Sequence, residues 1–165
     1  MNHKPLLLLL ILFLLPLAAA EAQQGVPDLV FRTLDGEEVR LKQLVGDGRP
    51  RILSFWATWC APCKRELDAI AGHYAEWQRA YGVEVIAVSI DSRRALSKVP
   101  ELVESKGWPY RILVGDEREI MGALGFQTIP QTYLIDGQGR IVKSHSGYQP
   151  GDELKLLERL KELQD

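Results

Sequence analysis

The chain has 165 residues, a formal net charge of −2 with both signs interspersed, and only two cysteines. No basic excess or polybasic patch points to nucleic acid. The length suits one domain whose core needs no disulfide staple. The two cysteines, Cys60 and Cys63, would close too short a loop to restrain an unfolded chain, so their value must be chemical.

The first twenty residues read as a secretory signal rather than as part of the fold. Lys4 supplies a basic start, Leu6 to Leu15 an unbroken apolar core, and Ala18-Ala19-Ala20 a small-residue cleavage site. Cleavage after Ala20 is the preferred reading, cleavage after Ala22 also fits, and an uncleaved anchor is the alternative. The apolar core is short for crossing a bilayer by itself, and no cysteine near the cut offers a lipid anchor. The chain therefore divides into a signal over 1–20 and one domain over 21–165. It is expected outside the cytoplasm, in the periplasm or on the outer face of the cytoplasmic membrane.

Leu29 to Leu34, the Asp35-Gly36 turn signal and Val39 to Leu41 predict a small hairpin. A helical turn over Leu41 to Val45 and a glycine-rich loop lead to Pro50. Arg51 to Ala57 is apolar apart from Ser54 over its central stretch, which suits an interior strand covered on both faces. A helix follows from Pro62 to Ala80, with Leu67, Ile70, Ala71, Tyr74 and Trp77 as its buried stripe and Gly82 as its stop. Val83 to Ile90 is a second strand. Asp91 and Ser92 are capping candidates for a helix over Arg93 to Ser105, with a break expected near Lys98-Val99-Pro100. Then come a strand over Arg111 to Val114, a helix over Glu117 to Leu124 capped by Asp116, and a strand over Gln131 to Ile135. A Gly-rich turn joins that strand to Arg140 to Lys143. The closing helix runs from Asp152 to Leu163, with Leu154, Leu157 and Leu160/Leu163 expected inside. This order implies an α/β fold, a mixed sheet with helices on both faces.

The stretch Phe55-Trp56-Ala57-Thr58-Trp59-Cys60-Ala61-Pro62-Cys63 sits where a strand hands over to a helix. Unpaired backbone N–H groups and the positive end of the helix dipole favour a thiolate on Cys60. Pro62 costs nothing there because its missing donor has no helical partner in the first turn. Cys60 is the expected attacking thiol, partly exposed; Cys63, one turn deeper, is the resolving thiol. Zinc is disfavoured: no third cysteine exists, and His73 and His145 lack ligand-like spacing. No metal or other cofactor is expected. A satisfied core hydroxyl is one account of Ser54. Trp56 and Trp77 read as core, and Trp59 as a shield over the thiols and, with Pro62, an apolar contact for substrate.

The stretch from Phe55 to Cys63, together with Glu66, Ile129-Pro130 and the Tyr133-to-Gly139 hairpin, resembles the thioredoxin superfamily. It looks most like the exported TlpA/ResA-like thiol–disulfide oxidoreductases of cytochrome c maturation. The resemblance implies a thioredoxin-like three-layer sandwich with a four- or five-stranded sheet, here extended by the N-terminal hairpin. It implies a cis Pro130 facing the cysteines, with Ile129 backbone groups offered to a substrate strand. It also implies reduction of protein disulfides outside the cytoplasm, apocytochrome c being one client class, with electrons from a membrane thiol donor. A monomer is expected. Related reductases carry a glutamate at the place of Glu66, which shares a helix face with Cys63 and is expected to handle its proton; an exposed acid favoured by the dipole is the plainer account. Many thioredoxins have a buried aspartate where this chain has Ser54, which shifts proton handling toward Glu66. Three other readings of the dithiol stay open: a thiol peroxidase, a dedicated protein disulfide oxidase, and an interaction domain whose disulfide only switches its shape.

Overall fold

A computed structural model describes residues 24–164, so the signal segment and its cleavage site lie outside the described residues. Among those described, no helix is long and apolar enough to cross a membrane.

The chain runs β1 (Val30–Arg32), β2 (Glu38–Arg40), a 3-10 turn (Leu41–Gln43), β3 (Arg51–Trp56), α1 (Ala61–Tyr81) and β4 (Glu84–Ser89). It continues through α2 (Lys98–Lys106), β5 (Arg111–Val114), α3 (Glu117–Leu124), β6 (Gln131–Ile135), β7 (Ile141–Ser146) and α4 (Asp152–Glu162). The strands form one seven-stranded sheet in the order β2-β1-β5-β4-β3-β6-β7. β3 pairs in parallel with β4 and antiparallel with β6, and β4 pairs in parallel with β5. The sheet exceeds the four or five strands expected because the N-terminal hairpin joins it directly: β1 pairs antiparallel with β5 at Arg32 and Val114.

Every residue of β3 is buried, as its continuous apolar run requires. Its side chains alternate between two cores. Phe55 meets Phe31, Phe126 and Tyr133 on one face. Trp56, on the other face, meets Trp108 edge-on with ring centroids 5.0 Å apart. The indole of Trp108 donates to Asp68 of α1 at 2.8 Å, and the Tyr110 hydroxyl donates to the Leu67 carbonyl. Trp108, which the sequence does not place, thus ties the approach to β5 onto α1.

Three expectations change. The helix expected from Arg93 begins only at Lys98. Pro100 stands in its first turn, where no N–H is needed, so the proline marks a start rather than a break; residues 93–97 form turns. The buried stripe of α4 is Leu156 and Leu160, with Leu157 and Leu163 partly covered, and Leu154 is exposed. Asp91 caps no helix and has another task, described below.

The loop ahead of β3 is pinned to the β6–β7 turn, where the Gly48 N–H donates to the Gly137 carbonyl at 2.9 Å. A Cβ on Gly137 would stand 2.6 Å from the Gly48 carbonyl oxygen, a backbone atom that cannot swing aside. Gly137→Ala is expected to cost about 1–3 kcal/mol by overpacking, read as a lower urea midpoint. Gly72→Ala in α1 meets nothing within 4 Å and should leave the midpoint unchanged or raise it, because alanine is the better helix former.

Candidate active site

β3 ends at Trp56, the chain turns through Ala57-Thr58-Trp59, and α1 begins immediately after Cys60. Cys60 is the N-cap of α1, and the Cys63 backbone N–H donates to its sulfur at 3.3 Å. An orphan N–H of the first turn is therefore aimed at the atom on which negative charge would develop. Cys60 and Cys63 are joined as a disulfide. Cys60 is only 4% exposed and Cys63 fully buried, so the sulfur expected to attack is less open than expected although the order of exposure holds. Trp59, at 64% exposure, is the large apolar side chain left at the surface beside them.

The turn that presents the disulfide is held from β4. Asp91, just past the end of that strand, accepts from the Thr58 N–H at 2.8 Å and from the Thr58 hydroxyl at 2.7 Å. Its carboxylate also accepts from the Ser89 hydroxyl at 2.8 Å. Lys64 on α1 donates to the Thr58 carbonyl at 2.9 Å. A carboxylate bonded to a backbone N–H and two hydroxyls is satisfied in burial. The Thr58 hydroxyl spends its one proton on Asp91. Sequence reasoning missed this brace; the one available signal was an acid directly after an apolar strand, which reads equally well as a helix cap.

Glu66 lies one turn beyond Cys63 and is 1% exposed, so it is no surface acid attracted by the helix dipole. Its carboxyl faces β3 and β6. The Ser54 hydroxyl donates to Oε2 at 3.1 Å, and the Thr132 hydroxyl lies 3.0 Å from both Oε1 and Oε2. Ser54 is thus a satisfied core hydroxyl whose partner is the acid itself. Burial pushes the Glu66 carboxyl up to about 7; the two hydroxyls pull it down by less, and the charges of Asp152 and Glu153 at the start of α4 add to the rise. A carboxyl poised near neutrality one turn from a thiol can take or return a proton at working pH. Thr132 was not singled out in the sequence, where it reads as one more β-branched strand residue.

The Ile129–Pro130 peptide bond is cis. The Gly147 N–H donates to the Pro130 carbonyl at 2.8 Å, while neither backbone group of Ile129 has a backbone partner among the described residues. His73 stacks on Trp77, and His145 bonds to Asp152 at 3.1 Å, so neither histidine joins the cysteines. No group of three or more His, Cys, Asp or Glu side chains able to hold a metal occurs among the described residues.

The profile of the AhpC/TSA family matches residues 22–144. The thiol-disulfide oxidoreductase ResA of Geobacillus thermodenitrificans is 33% identical over 136 residues, covering 82% of this chain and 75% of that protein. Among solved structures, a thioredoxin-like protein from Porphyromonas gingivalis is 39% identical with a TM-score of 0.74, covering 84% of this chain and 90% of that one. StoA from Bacillus subtilis is 26% identical with a TM-score of 0.63, covering 82% and 99%. The chain belongs to the AhpC/TSA family, with the thioredoxin-like fold, and is a thiol–disulfide oxidoreductase similar to ResA.

Proposed function

We propose that the protein reduces disulfides of protein substrates outside the cytoplasm, with Cys60 as nucleophile, Cys63 as resolving thiol and Glu66 as the acid that handles the proton of Cys63. The observation that carries this reading is the helix-capping Cys60 sulfur together with a buried carboxyl one turn past Cys63. The signal-like first twenty residues support export, and the resemblance to cytochrome c maturation proteins supports apocytochrome c as a client class.

In the reduced protein, the Cys60 thiolate attacks one sulfur of the client disulfide. That S–S bond breaks, and the other client sulfur leaves with the electron pair and takes a proton. Cys63, having passed its proton to Glu66, attacks the Cys60 sulfur, and the second client sulfur leaves as a thiol on protonation. The client gains two electrons and two protons, and the chain ends as the Cys60–Cys63 disulfide. A membrane-bound dithiol donor returns the two electrons. Trp59 and Pro62 give the client apolar contacts, and the unpaired backbone of Ile129 beside cis-Pro130 pairs with the client strand.

Cys63→Ser is expected to accumulate a mixed disulfide between Cys60 and client, seen as a reducible adduct on non-reducing gels, whereas Cys60→Ser traps nothing. Equal trapping by both variants would remove the assignment of roles. The couple should equilibrate near or below about −250 mV against glutathione; a value near about −120 mV would make the protein an oxidase. Glu66 also leaves a mark on stability. Its folded pKa of about 7 lies above the ordinary 4.5, so its contribution is fully present below pH 4.5 and is lost as pH rises through 7. This one group should lower the unfolding free energy by about 3 kcal/mol across that window. Glu66→Gln should abolish the decline in a series of denaturant melts at stepped pH, and a decline equal to the wild type's would show that the carboxyl is not held protonated.

A further inference from the structure

Resting on the proton-handling role given to Glu66, we propose that Thr132 is its positioning residue: the Thr132 hydroxyl, carried on β6 two residues after cis-Pro130, holds the carboxyl in place and governs when it keeps its proton.

Three oxygen-bearing groups close a ring in the core between α1 and the sheet. Thr132 Oγ1 is 3.0 Å from each Glu66 oxygen and 3.2 Å from Ser54 Oγ, and Ser54 Oγ is 3.1 Å from Glu66 Oε2. All three groups are buried, so no solvent replaces a missing partner. With Glu66 protonated, the ring holds three hydrogens for three links. The carboxyl O–H donates to Thr132, Thr132 donates to Ser54, and Ser54 donates to the other carboxyl oxygen. With Glu66 ionised, two hydrogens remain, and Thr132 and Ser54 both donate to the carboxylate. Passing between the two states requires the Thr132 O–H to turn from Ser54 to Glu66, and no heavy atom has to move.

The two hydroxyls are not equivalent. Ser54 donates to Glu66 in both states. Thr132 accepts from the protonated acid and donates to the ionised one, and it reaches both carboxyl oxygens. Without it, Oε1 has no hydrogen-bond partner among the described residues in either state. The ionised form loses more, because a bond to a charged acceptor is the stronger one. The other charged and titratable groups that act on Glu66 offer no substitute. Asp152 and Glu153 repel its charge, and the Tyr148 and Tyr110 hydroxyls are engaged with Glu153 and with the Leu67 carbonyl. The strand that begins directly after cis-Pro130 therefore also supplies the hydroxyl that tunes the acid.

The test is a titration of the Glu66 carboxyl carbon by NMR in 13C-labelled full-domain protein, in its disulfide form, with Glu66→Gln assigning the signal. Thr132→Val should raise the midpoint by roughly one pH unit or more, and Thr132→Ser should restore it to the wild-type position. Thr132→Ala gives the same reading should the valine variant fail to fold. A midpoint unmoved in Thr132→Val and Thr132→Ala, or moved as far by Thr132→Ser, overturns the proposal. The pH profile of disulfide exchange, measured on the same variants, separates the underlying reading. If the carboxyl midpoint moves and the exchange profile stays, Thr132 still tunes Glu66, and the proton-transfer role of Glu66 in exchange is the part that fails.

Discussion

The interior position of β3 is the constraint on which the rest depends. A strand buried on both faces and hydrogen-bonded on both edges cannot shift its register without moving two cores at once. β4 and β6 are therefore fixed beside it, and α1 begins at a fixed point beyond its end. The sulfur of Cys60 stands at the N-terminus of α1 because the chain has only Ala57, Thr58 and Trp59 in which to turn. The alternation of β3 sends Phe55 into one core and Ser54 and Trp56 into the other, and Ser54 is thereby delivered to Glu66.

That same rigidity makes a buried carboxyl tolerable. Moving Glu66 out of water disfavours its charge, and two hydroxyls from different strands recover only part of the loss. The outcome is an acid poised near neutrality rather than a permanently charged or permanently neutral one. Asp91, by contrast, is given a backbone N–H and two hydroxyls, and it serves as a fixed brace for the turn before Cys60. Two buried acids flank one disulfide, and their partners suit them to different work.

Local patterns carried much of the fold. β5, α3 and β6 lie where their periodicity and caps place them, and Asp116 accepts from the Glu119 N–H as an N-cap should. The readings that changed share a cause. Pro100 is compatible with either a break or a first turn, and the helix that starts at Lys98 takes it into its first turn, beside the buried Val99. Leu154 and Leu156 both suit an amphipathic helix, and the rotation of α4 against α1 decides which one is covered. The site followed the same division: the spacing of Cys60 and Cys63 announced the chemistry, whereas Asp91 and Thr132 carry no local mark of their tasks.

From its sequence alone this chain declares a dithiol at a strand-to-helix junction, a proline step far downstream and an α/β order of elements, because each is written in neighbouring residues and short-range sterics. The tertiary structure decided that Glu66 is buried, that Ser54 and Thr132, 78 residues apart, meet on its carboxyl, and that Asp91 reaches back 33 residues to Thr58. Those contacts depend on which strands become neighbours in the sheet. Strand order is settled by the burial of the whole apolar surface, which no short stretch of sequence encodes.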